Sequence, residues 1–418
     1  MPTAKIKKII FHKEFFNFIN YYVFTIINAA IGLYTISYLT KHLLPEDYGM
    51  IGIFISIQSF ALPMMSFSAI GLQGIEIVNL NKDDYLIFRN SYISFALLSG
   101  IICLLGGGIF SLFSAEFSFV IMMALLMGFI LTFSSIHNTE LIQYSQPTQF
   151  GLISSATALL AFVLTIVFIS YLDLDWKYRI FALLISEFII LIFRFYIFSS
   201  IGSRFKFHIN KEQFKEIFYY GAPLMLTVLI GWILNQSDRY FLLRNYSLKE
   251  VGLYAAAASI SSLITMINAN MVKVIYPLIY KRLSVREGKG FTLKLTALYS
   301  VFILTVALMF CVGIYFFGKY FLGSKYLSAL PIIYIMCFSQ AFFGIYMTIG
   351  IVIDYFKKTK IKTILVAISA ISVIFFSFLL IRIIGLLGPA VALLISFFIL
   401  SILSFIISRR LFIQNNIS

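Results

Sequence analysis

Charge is what this chain has little of. Only 12% of its 418 residues are charged, while 61% are hydrophobic and the mean hydropathy is +0.97. No soluble domain has an interior large enough for that much apolar side chain, which excludes an ordinary globular protein and leaves a polytopic membrane protein. Cysteine is scarce too. Cys103, Cys311 and Cys337 all lie inside apolar runs, which excludes a disulfide framework and reads as small buried residues. The four histidines have no metal-ligand spacing. A G-x-x-x-x-G-K-[ST] phosphate loop and a nucleophile–base set are both absent, so the sequence implies no ATP-driven motor of that kind, no enzyme and no cofactor. Extramembrane domains are excluded as well, because the longest links between apolar runs are only about 20 residues.

What is present is a succession of apolar runs, each near the ~20 residues needed to cross ~30 Å of hydrocarbon as a helix. They fall at 15–39, 49–72, 91–113, 118–141, 150–171 and 180–200, then at 218–243, 251–274, 293–317, 329–353, 363–384 and 388–407. This pattern predicts an all-α polytopic membrane protein with about 12 transmembrane helices. The basic N-terminus leads into a run too long for a cleaved signal, and no small-residue cleavage site follows, so it is read as a retained first span.

The net charge of +15 does not point to nucleic acid, since the 32 Lys and Arg are spread over many short loops rather than concentrated on one face. Most of them fall on one side of the expected topology, including Lys5, Lys7, Lys8, Lys13, Arg204, Lys206, Lys281, Arg282, Arg286, Lys357, Lys358 and Lys360. Lys and Arg are retained on the cytoplasmic side, so both termini are expected inside.

The chain also reads as duplicated. Aligning Gly49 with Gly252 sets Asp47 against Glu250, with an apolar run after each. Two six-helix lobes related by a pseudo-two-fold axis follow from that repeat. They are expected at 1–201 and 218–418, joined by a basic cytoplasmic linker at 202–217.

Charge at membrane depth is the main functional signal, because each such group costs about 2.5–3.5 kcal/mol on insertion scales. Glu187 lies midway along the sixth run with Arg194 seven residues on, which places both on one helical face. Two readings stand: a cavity-lining pair that meets a substrate anion or coupling ion, or structural pairing with neighbouring helices. Trp232, Asn235, Asp238 and Arg239 form a second stripe, either on the pathway or reaching interfacial water at the outer end. The fourth run ends with Asn138, Glu140, Gln143 and Gln146, suited to sugar hydroxyls or to emergence into the cytoplasm. Asn268, Asn270 and Lys273, Gln340, and Asp354 complete the candidates, the last two charges being expected near the inner surface. Arg382 is expected at an interface.

Several short motifs in a fixed order carry a resemblance. They are the basic N-terminus running into the first helix, Leu44-Pro45-Glu46-Asp47-Tyr48-Gly49 after it, Gly221-Ala222-Pro223-Leu224, Ser237-Asp238-Arg239-Tyr240, and Val251-Gly252-Leu253-Tyr254. Together they resemble the Wzx-type polysaccharide flippases of the multidrug/oligosaccharidyl-lipid/polysaccharide exporter superfamily, over essentially the whole chain. The resemblance implies a cargo of oligosaccharide on a polyprenyl diphosphate, such as an O-antigen repeat unit of lipopolysaccharide or a capsule unit. It implies movement from the inner to the outer leaflet of a bacterial cytoplasmic membrane by alternating access, beside other polysaccharide-assembly proteins such as a polymerase. A cationic cavity is expected in the family, with Arg194, Arg239 and Lys273 as its candidates here. An ion-coupled drug exporter of the same fold is the close alternative. A membrane polymerase or ligase is a further one, disfavoured by the short outer links.

Overall fold

A computed structural model describes the backbone of residues 2–200, 205–283 and 288–414, and the side chains of residue 20 and of 22–196, 205–283 and 288–414. The N-terminal lysine side chains, Arg204, Arg286 and the start of the 202–217 linker lie outside the described residues. Among the described residues there is no strand. The helices are α1 (Pro2–His42), α2 (Pro45–Met65), α3 (Ile70–Asn79), α4 (Lys82–Leu112), α5 (Ser118–Gln143), α6 (Pro147–Ile166), α7 (Lys177–Ser200), α8 (Lys211–Asn245), α9 (Leu248–Leu283), α10 (Gly288–Phe321), α11 (Leu330–Tyr355), α12 (Thr359–Ile384) and α13 (Gly388–Gln414). A π-helical turn, Val167–Tyr171, extends α6.

All but α3 are long enough to span a bilayer. Ten described segments also have the hydropathy for it, the last of them, Thr359–Gln414, holding both α12 and α13. In α7 the apolar run is interrupted by Arg179, Glu187 and Arg194. Over the described residues this is an all-α multi-pass membrane protein with twelve long helices.

Local chemistry sets the ends of these helices. Pro45, Pro147 and Pro331 stand in the first turn, where a missing N–H leaves no bond unmade. The Asn81 side chain caps α4 by accepting from the Asp84 backbone N–H at 2.9 Å. Gly385 supplies the positive φ of +63° that turns α12 towards α13.

The second apolar run departs from expectation. Instead of one helix over 49–72, it breaks after Met65 and restarts at Ile70. Phe67 and Ser68 both take φ of +52°. The Phe67 ring packs against Phe95 and Phe218 at 5.3 and 5.2 Å, and a Cβ on Gly221 would collide with the Phe67 carbonyl. Tertiary packing therefore holds a backbone shape that hydropathy does not encode.

Packing groups the chain into two compact units, Met1–Thr35 with Ile53–Leu229, and Ile36–Gly52 with Ile230–Ser418. This division cuts within α1, α2 and α8. In the first unit Phe54, Met65, Phe88, Tyr92 and Ile180 are fully buried. In the second, α11 packs on α9, α10 and α13, around Tyr254, Ile260, Tyr326, Ile353 and Phe397.

The duplicated turns meet within the second unit. The Leu44 N–H donates to Asp47 Oδ2 at 3.2 Å, and the Ser247 N–H donates to Glu250 Oε2 at 3.1 Å, so the aligned acids cap α2 and α9 in the same way. Gly49 and Gly252 face each other. A Cβ on Gly49 would fall 3.2 Å from the Gly252 nitrogen, and one on Gly252 would fall 2.9 Å from the Gly49 nitrogen.

Candidate functional site

The first unit buries a polar cluster between α3, α4, α5 and α7. Glu140, on α5, is 3% exposed. It accepts a 2.6 Å hydrogen bond from the Tyr85 hydroxyl and lies 3.9 Å from Arg89 Nη1. Gln73 Nε2 completes this side by donating to the Tyr85 oxygen at 3.1 Å and to the Ile136 carbonyl at 3.0 Å. One turn before Glu140, His137 is 5% exposed, close enough to Arg194 and Arg89 to feel both charges. An open cleft of about 540 Å³ lies beside the cluster, lined by Gly71, Gly74 and Asn79 of α3 and by Thr139 and Gln143 of α5. Outside the membrane-spanning helices, burial and then the charge of Glu216 push the Glu76 carboxyl of α3 above the ordinary range.

Glu187 and Arg194 are both buried, at 6% and 4% exposure. Their shared face does not bring them into an ion pair. Arg194 instead reaches across to α5, where its Nη1 donates to Asn138 Oδ1 at 2.6 Å and to the Ser134 carbonyl at 3.2 Å. Its buried Nε has no partner among the described residues. Glu187 remains near enough for its charge to act on Arg194.

The second unit holds the other candidates. Asp238 and Arg239 are buried, at 4% and 7% exposure, within α8, which continues beyond them to Asn245. Arg239 Nη1 lies 3.5 Å from Asp238 Oδ1 and donates to the Gln236 amide oxygen. A Cβ on Gly52 would sit 3.8 Å from Arg239 Nε. The fully buried Tyr254 hydroxyl approaches Asp238 without meeting hydrogen-bond geometry.

The remaining α8 residues are satisfied locally. Asn235 Nδ2 donates to the Gly231 carbonyl at 2.8 Å, and the Trp232 ring lies 5.6 Å from Tyr240. Further along, Gln340 accepts from Thr265 at 2.8 Å, and its backbone carbonyl accepts from Asn268 at 2.7 Å. Asn270 bonds back to Met266, and Lys273 lies 3.4 Å from Asn270 Oδ1. Asp354 pairs with Lys362 at 2.6 Å.

The candidate residues thus form separate constellations: Glu140, Glu187 and Arg194 in the first unit, and Trp232, Asn235, Asp238, Arg239, Asn270, Lys273, Gln340 and Asp354 in the second. Arg89, Tyr85, Gln73 and His137 were missed by the sequence reading. Arg89 stands two residues before an apolar run and reads as a loop cation, yet α4 starts at Lys82 and carries it inside. His137 and Glu140, three apart on α5, are the signal that was available. Among the described residues no three His, Cys, Asp or Glu side chains converge on a metal position.

Among the described residues, twelve long helices with buried charge in each compact unit define a multi-pass membrane protein. The chain belongs to the polysaccharide biosynthesis protein family, whose pattern matches residues 16–283. It is 21% identical over 330 residues to an Lsg locus protein of Haemophilus influenzae, covering 77% of this chain and 81% of that protein. Its fold is similar to that of the lipid II flippase MurJ in an inward closed conformation, with a TM-score of 0.72, 18% identity, and 94% and 87% of the two chains covered. It is also similar to an inward-facing multidrug resistance MATE transporter of the MOP superfamily, with a TM-score of 0.71, 16% identity, and 92% and 97% covered.

Proposed function

We propose that the chain is a flippase that moves polyprenyl-diphosphate-linked oligosaccharide, an O-antigen or capsule repeat unit, from the inner to the outer leaflet of a bacterial cytoplasmic membrane by alternating access. The observation that carries this reading is the Arg194 guanidinium, buried beside His137 with its Nε unpartnered among the described residues. A guanidinium at membrane depth is costly and suits a diphosphate better than any neutral ligand. Family membership supports a polysaccharide cargo. The fold shared with a lipid II flippase supports a lipid-linked one.

In this reading Glu187, Arg194 and Glu140 act in the first half of the chain. Trp232, Asn235, Asp238, Arg239, Asn270, Lys273, Gln340 and Asp354 act in the second. The polyprenyl tail stays in the bilayer, the sugars meet amide and aromatic groups, and an ion gradient coupled through Glu187 supplies the energy. The halves 1–201 and 218–418, joined by 202–217, are the working lobes, both termini are cytoplasmic, and a polysaccharide polymerase uses the flipped product. The protein moves its cargo without chemical change and is not an enzyme.

The test is flipping by the purified full chain in sealed vesicles, offered a fluorescent polyprenyl-diphosphate oligosaccharide or a drug-like cation. With the cytoplasmic face of the protein turned outward, the cargo leaves the exposed leaflet, and protection of the glycolipid from an external quencher is the expected result. Movement of the cation without the glycolipid overturns the reading in favour of a multidrug exporter.

A further inference from the structure

At its inner end α9 carries two tyrosines one turn apart, and their rings are stacked. The Tyr276 and Tyr280 centroids are 4.3 Å apart at 22°, and the Tyr276 hydroxyl donates to the Tyr280 hydroxyl at 2.7 Å. Tyr280 is held edge-on by Tyr355 of α11, at 5.2 Å and 89°. The outermost ring, Tyr276, is 38% exposed. The result is a flat aromatic face on a rigid support, standing free on one side.

Polar groups frame this face. Asp354, the neighbour of Tyr355, takes the Lys362 ammonium on Oδ2 at 2.6 Å, and its side chain keeps 25% of its surface open. Its charge reaches the Tyr280 hydroxyl. Deeper along α9 the same helical face continues to Lys273, three residues before Tyr276, whose ammonium lies 3.4 Å from the Asn270 side-chain oxygen.

Two occupants compete for such a face. Tyrosines near a helix end commonly anchor a protein in lipid headgroups. A lipid-facing surface, however, does not carry an ammonium and a carboxamide onward towards the apolar part of a helix, where such groups mark a water-filled path. A planar ring with a carboxylate and an ammonium at its edge matches a pyranose, which offers an apolar C–H face and a rim of hydroxyls.

We infer that the Tyr276–Tyr280–Tyr355 platform, with Asp354 and Lys362 at its edge, is a saccharide-binding site on the inner end of the second unit. A sugar ring of the cargo stacks on Tyr276, and Asp354 accepts one of its hydroxyls. This inference rests on the flippase reading and deepens it, because it names the part of the cargo that the second unit holds.

The experiment measures binding of the full chain in nanodiscs to two probes, undecaprenyl diphosphate and the same lipid bearing one N-acetylglucosamine. Wild-type protein should prefer the sugar-bearing lipid. Tyr276→Ala should reduce affinity for that lipid by about five- to tenfold, the worth of one aromatic stacking contact, and leave the bare lipid unchanged. Tyr276→Phe keeps the ring and should retain the preference, which also controls for folding. Asp354→Asn should weaken the sugar-bearing probe alone. Equal losses for both lipids in Tyr276→Ala overturn the inference in favour of headgroup anchoring. No loss in that variant, or no preference in the wild type, overturns it while leaving the flippase reading standing. Failure of the wild type to bind either lipid overturns the flippase reading and the inference with it.

Discussion

Asp238→Asn distinguishes a packed ion pair from an interfacial one by magnitude alone. If Asp238 and Arg239 reached water, as the outer position in the sequence suggests, removing the charge would cost no more than about 1 kcal/mol. Their side chains are 6% and 8% exposed and their charged atoms are 3.5 Å apart. A guanidinium cannot shed its proton to relieve the loss of its partner. Breaking a buried pair costs about 3–5 kcal/mol, and the Gln236 oxygen that stays on Arg239 puts this case near 3 kcal/mol. That is roughly a hundredfold change in the ratio of folded to unfolded protein. Asp238→Asn combined with Arg239→Met removes both charges and should return to within about 1 kcal/mol of wild type. The assay is reversible unfolding in mixed micelles of increasing sodium dodecyl sulfate, followed by tryptophan fluorescence, for which Trp232 lies on the same helix. A loss below about 1 kcal/mol for the single variant, or a double variant as unstable as the single, refutes the reasoning.

Three further outcomes are expected. Arg194→Ala should lower affinity for a polyprenyl-diphosphate glycolipid more than Arg194→Lys does, as measured by binding to detergent-purified protein; equal affinity in wild type and both variants removes Arg194 from diphosphate recognition. Glu187→Gln should abolish the pH or sodium dependence of flipping in vesicles while leaving expression intact, and an unchanged ion dependence rules out coupling through that carboxylate. Single cysteines placed at Lys177 and Lys206, in a background without Cys103, Cys311 and Cys337, should react with a membrane-impermeant maleimide from outside and inside respectively; the opposite pattern reverses the orientation.

Helices were the legible part of this chain, because an apolar run of membrane-spanning length has few other folds open to it. Their ends were less so. The run from Ser91 gave no sign that α4 begins at Lys82, since helix starts are set by caps such as Asn81, and so Arg89 passed for a loop residue. The break at Phe67 and Ser68 was hidden for a different reason: the residues there are ordinary, and the strain is held by packing partners remote in sequence. For Glu187 and Arg194 helical periodicity gave the shared face, but it could not say that the guanidinium would turn to Asn138 on α5. The tyrosines of the α9 platform drew no attention in the sequence, which shows their spacing and not their neighbours.

The meeting of Gly49 and Gly252 has a consequence for how this sequence can change. In most packed contacts a larger residue on one side is accommodated by a smaller one opposite. Here each side is already as small as an amino acid can be, and each added carbon would press on backbone, the Leu248 carbonyl for Gly49 and the Pro45 carbonyl for Gly252, and then on the facing glycine's nitrogen, rather than on a side chain able to rotate away. No second-site substitution at the partner can rescue a change at either glycine. Two positions half a chain apart therefore behave under mutation as a single locus.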